Sequence, residues 1–254
     1  MTKKNNYFNI TREFAITDFK LRYQESILGV LWSFLRPLVM FGVLYMVFSK
    51  FARFDIKDYQ FYLLLGILLW NFFSEATTAS MIGLSSRAGL LKKINFPKSI
   101  IVVSSTLVAF LNFILGFIVF LSLLFYFHGV FFNGVIVTFL MSFVMLLVTL
   151  GLSFFLAAIH SKFKDVIHLW EIFLQMGFWI TPIVYSVQMV PDRYQFLLIL
   201  NPVFQIIEHS RNAMLYGVVL PMPALIKIVG FSFVVFLIGL LVFRSRQDYF
   251  AEEL

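Results

Sequence analysis

Between Lys98 and Lys162 the chain contains no Asp, Glu, Lys or Arg. Within residues 99–161 only His128 and His160 can carry charge near neutral pH. A spanning helix needs about 20 predominantly apolar residues, so this interval holds two crossings. Composition extends the argument to the whole chain of 254 residues. Hydrophobic residues make up 61%, against about 45–50% in soluble domains. Charged residues make up 13%, roughly half the usual quarter. So little polar surface excludes a soluble enzyme and a disordered tail alike. The fold class is an all-α polytopic membrane protein.

Hydropathy predicts six crossings, at 28–49, 60–80, 100–127, 135–159, 168–187 and 225–243. Counting Lys and Arg in the connecting segments sets their orientation. An inside N-terminus places 13 of the 20 basic residues inside and 6 outside, with Arg36 within the first crossing. Both termini are then expected to be cytoplasmic. The 82–99 connector weighs most, with four basic residues and no acidic one. The formal charge of +7 reads as this loop bias and contact with anionic lipid, not as nucleic-acid binding. No cleavable signal peptide is expected, because the first apolar run begins near Leu28 and is spanning length. The absence of cysteine removes disulfides, thiol nucleophiles and thiolate metal sites.

Three regions depart from a plain bundle. Residues 8–27 are too polar to cross, yet Ala15, Phe19, Tyr23 and Ile27 recur every fourth residue among charges. That spacing predicts an amphipathic helix at the membrane surface. Residues 84–98 form a basic connector ended at Pro97. The stretch 188–224 contains Pro191, Pro202, Pro221 and Pro223. Its apolar pieces, near 195–200 and 203–216, are too short to span, so it is either an outer loop or a re-entrant helical pair.

The chain has no GxxxxGK[ST] phosphate loop, HExxH helix or GxSxG elbow. Four scattered histidines give no metal-ligand spacing, so no metal is expected. Arg36, Glu75 and Glu171 fall within or at the edge of crossings, where ionisable residues usually face a bundle interior or a watery path. Arg36 also has a stem long enough to snorkel to headgroups. The fifth crossing carries Trp170, Phe173, Phe178, Trp179 and Tyr185 beside polar Gln175 and Thr181, and Phe204 follows in the proline-rich stretch. Aromatic rings on such a face can stack on the apolar faces of sugars without gripping them. Spacings of three and four put Phe178, Thr181 and Tyr185 on one helical face.

Several motifs resemble a known family in order and spacing. They are RYQESILGVLWSFLRP from Arg22 to Pro37, GILLWNFFS from Gly66 to Ser74, and LLKKINFP from Leu90 to Pro97. FKDV from Phe163 to Val166, WITPIVYS from Trp179 to Ser186, and LNP from Leu200 to Pro202 follow. Together they resemble the permease subunit of ABC-2 type polysaccharide exporters, the family that exports O-antigen, capsule and teichoic acid. The resemblance covers nearly the whole chain and implies one transmembrane domain, 1–254, that is not an enzyme.

The resemblance also implies a pair of such permeases working with two copies of a separate nucleotide-binding subunit, which would hold the ATP and Mg. It implies cytoplasmic-membrane localisation and a polyprenyl-diphosphate-linked glycan as substrate. Docking on the ATPase would fall to Phe19, Arg22 and Tyr23, to Arg87, Leu91, Lys92 and Lys93, and to Phe163, Lys164 and Asp165. Residues 191–217 would form outer gate helices. Arg36, Phe173, Phe178, Trp179, Thr181, Tyr185 and Phe204 are the conduit candidates, Arg36 as a partner for the diphosphate. Two other readings compete: an ABC-2 permease for a drug or lipid, and an integral membrane glycan-modifying enzyme. The enzyme would need clustered carboxylates, and the chain offers only Glu75 and Glu171.

Overall fold

The computed structural model describes residues 3–23, 28–29, 31–50, 58–89, 96–247 and 250. Among them are nine α-helices and no strand. The first three are α1 (Lys3–Tyr23), α2 (Leu31–Lys50) and α3 (Tyr59–Ser86). Next come α4 (Ser99–Phe127), α5 (Phe132–Lys162) and α6 (Val166–Ile180). A single 3-10 turn, Val187–Met189, leads to α7 (Asp192–Leu200), α8 (Pro202–Tyr216) and α9 (Met222–Arg246). Helices α3, α4, α5 and α9 are long and apolar enough to cross a membrane; α2 and α6 are shorter apolar helices.

Helix α3 is central and packs against α2, α4, α5, α6 and α8. Phe61, Leu65 and Leu69 along it have no exposed surface. Helix α9 lies against α5 where two glycines cross. A Cβ on Gly239 would stand 1.9 Å from the Gly151 carbonyl oxygen, the close backbone approach that small residues permit between membrane helices. Gly239→Val forces that crossing apart and costs about 1–3 kcal/mol. We expect a melting temperature in detergent lower by about 5 °C. An unchanged melting curve would show that the two backbones do not meet.

Helix α1 packs on α4. Its Phe14 stacks on Phe96 at 5.7 Å, and the Arg87 guanidinium lies 5.5 Å above the same ring. Arg87 also pairs with Asp18. At the same end, Lys98 donates to the Gln247 carbonyl and sits 5.7 Å over the Phe250 ring. Both extremities of the described chain therefore gather at the end of the bundle marked by Arg87 and Lys98.

Two boundaries differ from the sequence reading. The surface helix expected at 8–27 runs from Lys3 to Tyr23, and residues 24–27 lie outside the described set. The fifth crossing, expected at 168–187, stops as a helix at Ile180. Thr181 precedes Pro182, whose ring disfavours helical backbone in the residue before it. Thr181 is accordingly extended, at φ −76° and ψ 124°. The expected face of Phe178, Thr181 and Tyr185 is thus broken after its first member. The proline-rich stretch folds as two helices, α7 and α8, divided at Asn201. Asn201 caps α8, its Oδ1 accepting from the Val203 and Phe204 amides at 3.0 and 3.3 Å, with Pro202 at the first helical position.

Candidate functional site

An aromatic groove runs between α3 and α6. Trp170 on α6 donates its indole N–H to the Thr77 hydroxyl on α3 at 2.9 Å, fixing the two helices at one level. Trp170 then stacks on Phe173, centroids 4.9 Å apart and planes within 14°. One level further along, Trp70 meets Phe178 edge-on at 6.2 Å, and Phe178 meets Trp179 edge-on at 5.5 Å. Gly177 makes room, since a Cβ there would lie 3.0 Å from the Trp70 ring. A cavity of about 390 Å³ lies here, lined by Asn71, Ser74, Gln175, Trp70, Phe178 and Trp179. Amide, hydroxyl and indole groups thus share one wall. Phe173 and Trp179 present 56% and 64% of their surfaces, so the rings are available to a ligand.

The groove ends at a turn, residues 181–185, held by donors from two other helices. Arg211 on α8 is fully buried, at 0% exposure. Its Nη1 donates to the Pro182 carbonyl and its Nη2 to the Ile183 carbonyl, each at 2.8 Å. Its Nε donates to the Tyr62 carbonyl at 2.9 Å. The Tyr59 hydroxyl takes the Val184 carbonyl, and the Tyr62 hydroxyl takes that of Tyr185 at 3.2 Å. Four successive carbonyls, 182 to 185, are satisfied by α3 and α8. The Tyr62 ring also lies against the guanidinium, 3.6 Å from centroid to Cζ, a cation–π contact. Glu208 stands 4.0 Å from Nη1 and balances the charge. Gly66 is what admits the guanidinium: a Cβ there would lie 2.0 Å from Nη2.

Of the conduit candidates, Phe178 and Trp179 line the groove cavity, and Phe173 lies beside it, stacked on Trp170. Thr181 is buried at 1% and accepts from the Asn201 amide at 3.3 Å. Phe204 is buried at 5%, on the inward face of α8. Tyr185 turns back, its hydroxyl donating to the Trp179 carbonyl at 2.8 Å. Arg36 lines a separate cleft between α2, α3 and α4, with Glu75. Glu171 is exposed, 3.6 Å from His168. Gln175, which the sequence sets beside the aromatic residues, lines the groove as well; Asn71 and Ser74 join it from α3, polar side chains inside an apolar run that the sequence reading does not assign to the conduit. In the sequence Arg211 reads as one of the six outer basic residues, with nothing to mark its burial.

Of the docking candidates, Phe163, Lys164 and Asp165 are all exposed at the tip between α5 and α6. Phe19 is half-buried on α1. Arg22 and Tyr23 fall in the last turn of α1. Leu91, Lys92 and Lys93 lie outside the described residues. Arg87 turns inward, donating to the Gly83 carbonyl at 3.3 Å as well as to Asp18. It ties α1 to the end of α3.

A helical bundle this apolar, with four helices long enough to cross a bilayer, has the build of a multi-pass membrane protein. Residues 12–215 match the ABC-2 type transporter family, and the chain belongs to that family. It is 30% identical over 246 residues to the O-antigen export system permease protein RfbA of Myxococcus xanthus, covering 93% of this chain and 92% of that protein. It is 27% identical over 243 residues to the protein of the same name from Klebsiella pneumoniae, with the same coverage. The polysialic acid transport protein KpsM of Escherichia coli is 21% identical over 239 residues, with 92% of each chain covered.

Proposed function

We propose that this chain is the membrane half of an ATP-driven exporter that carries a polyprenyl-diphosphate-linked polysaccharide, of O-antigen type, across the cytoplasmic membrane. The observation that carries the reading is its similarity, over more than nine-tenths of both chains, to permeases named for O-antigen export. The α3–α6 groove supports it physically. Indole and phenyl faces offer stacking surfaces to sugar rings, and Asn71, Ser74 and Gln175 offer weak hydrogen bonds beside them. Such a lining lets successive sugars pass.

In this reading α2, α3, α4, α5, α6 and α9 cross the membrane, and the end with Arg87 and Lys98 faces the cytoplasm. Helix α6 rises only about 22 Å, less than the roughly 30 Å hydrocarbon thickness. Its shortfall favours α7 and α8 folding back from the outer face as a re-entrant pair. Irregular backbone at that depth requires internal partners, and Arg211, Tyr59 and Tyr62 supply them to residues 182–185. The α3–α6 groove is open along one side, which suits closure by a second copy of the chain. ATP and Mg would bind two copies of a separate ATPase, docked below α1 and the exposed Phe163–Asp165 tip.

A host strain deleted for its own O-antigen permease tests the reading. Expressed there with the host exporter's ATPase subunit, this chain is expected to restore surface polysaccharide on immunoblots of whole cells. Membrane-inserted protein with no surface polysaccharide, and none accumulated inside the wild-type pairing, would overturn it.

A further inference from the structure

A polar side chain inside a spanning helix is costly unless a protein group, water or a ligand pairs with it. The α3–α6 groove gathers such side chains. Ser74 and Asn71 on α3 and Gln175 on α6 line its cavity of about 390 Å³. Among the described residues, none of these three side chains hydrogen-bonds to another group of the chain. Thr77, one turn inward of Ser74, differs: its hydroxyl is spent on the Phe73 carbonyl and the Trp170 indole. The carboxamides and the hydroxyl each offer both a donor and an acceptor, and none carries charge. They match the hydroxyls, ring oxygens and acetamido groups of uncharged sugars.

The charges at the two ends of the groove point the same way. Glu171, Gln175, Phe178 and Trp179 stand at i, i+4, i+7 and i+8 on α6, which puts them on one helical face. Glu171 is exposed one turn inward of Gln175, so an anion stands at that end. His168, 3.6 Å away, pairs with it when protonated. At the outer end Arg211 is fully buried, donates to three carbonyls and has Glu208 4.0 Å away. Its charge is already matched. Paths for anions are built with available Arg or Lys, and like charges repel more strongly as water is excluded. A carboxylate on a passing sugar would meet Glu171 first and neutral amides beside the rings.

We infer that the groove passes uncharged polysaccharide and discriminates against glycans with a carboxylate or phosphate in every repeat, Gln175 and Glu171 setting the preference. The inference rests on the exporter reading above and names the substrate class of the same groove. The diphosphate of the carrier crosses once for each molecule. A charged sugar meets the groove at every repeat, so even a small penalty accumulates along the polymer.

The test uses two strains of one host deleted for its own permease, each given the full-length chain and the host exporter's ATPase subunit. One strain makes a glycan of hexoses and acetamido sugars. The other makes a glycan of similar length on the same carrier, with a uronic acid in every repeat. Surface polysaccharide is measured by sugar analysis as a fraction of all polymer made. Wild type is expected to export the neutral polymer about tenfold more fully than the acidic one. Gln175→Arg places a cation on the groove wall and brings that ratio toward one. Glu171→Gln removes the like charge and moves the ratio the same way; its exposed position keeps the test available if Gln175→Arg does not accumulate. Equal export of both polymers by wild type, or greater export of the acidic one, overturns the inference while the exporter reading stands. A preference that neither folded variant moves also overturns it, and places the selection outside the groove. Export of neither polymer overturns the exporter reading, and this inference with it.

Discussion

Arg211→Met is expected to be the most damaging single substitution in the chain. The guanidinium serves three carbonyls, of Tyr62, Pro182 and Ile183, with no exposure of its own. Methionine fills the space but leaves three buried acceptors without donors, at about 1–3 kcal/mol each. A loss of at least about 3 kcal/mol is a large part of the 5–15 kcal/mol that holds a typical protein together. Lysine does not rescue, because a single ammonium lacks the fork that reaches three carbonyls. Gly66→Ala is expected to do nearly the same damage from the other side, since its methyl would occupy the Nη2 position. The two acting on one contact, Gly66→Ala with Arg211→Met costs far less than their sum. Thermal melts in detergent check this, with a drop of about 6–12 °C for each single variant. Full additivity, or a stable Arg211→Met, would show that the buried cluster does not hold the turn.

Phe178→Ala with Trp179→Ala is expected to lower surface polysaccharide by about tenfold while leaving the protein folded. Trp179 is exposed and contributes little to packing; Phe178 touches Trp70 only edge-on. Loss of aromatic stacking is worth about 0.5–1.5 kcal/mol for each pair. Along a polymer the loss recurs for every sugar that passes the groove. The measurement pairs immunoblots of surface glycan with melting temperature and yield of the double variant. Normal export by a folded double variant would place the path elsewhere. Phe204→Ala serves as contrast: its ring is buried, so it should reduce yield before export.

The long helices were legible because their signal is local. The uncharged interval 99–161 became α4 and α5 with ends displaced by only a few residues. The start of α8 rests on cap chemistry at Asn201–Pro202, which is also local. Other features were decided at a distance. Pro182 was visible in the sequence, yet helical spacing was carried through it to Tyr185; the geometry of an X-Pro bond ended α6 first. Arg211 sits in a polar stretch and reads as a loop charge. Its burial depends on Gly66 and Tyr62, whose relation to it has no local signature. Arg87 reads as one of several free basic residues, but Asp18 lies 69 positions away in sequence and holds it inward. Phe204 belongs to an amphipathic helix whose buried face is set by α3 and α5, and composition alone did not give its phase.

The 149-residue separation between Tyr62 and Arg211 has a consequence for synthesis of the protein. Chains emerge at about 5–20 residues per second, so Tyr62 precedes Arg211 by about 7–30 s. For that time α3 must sit in the bilayer with its glycine notch vacant, and the 181–185 turn, when made, lacks its donor. The notch that Gly66 leaves in α3 is thus filled only after Arg211 has been made.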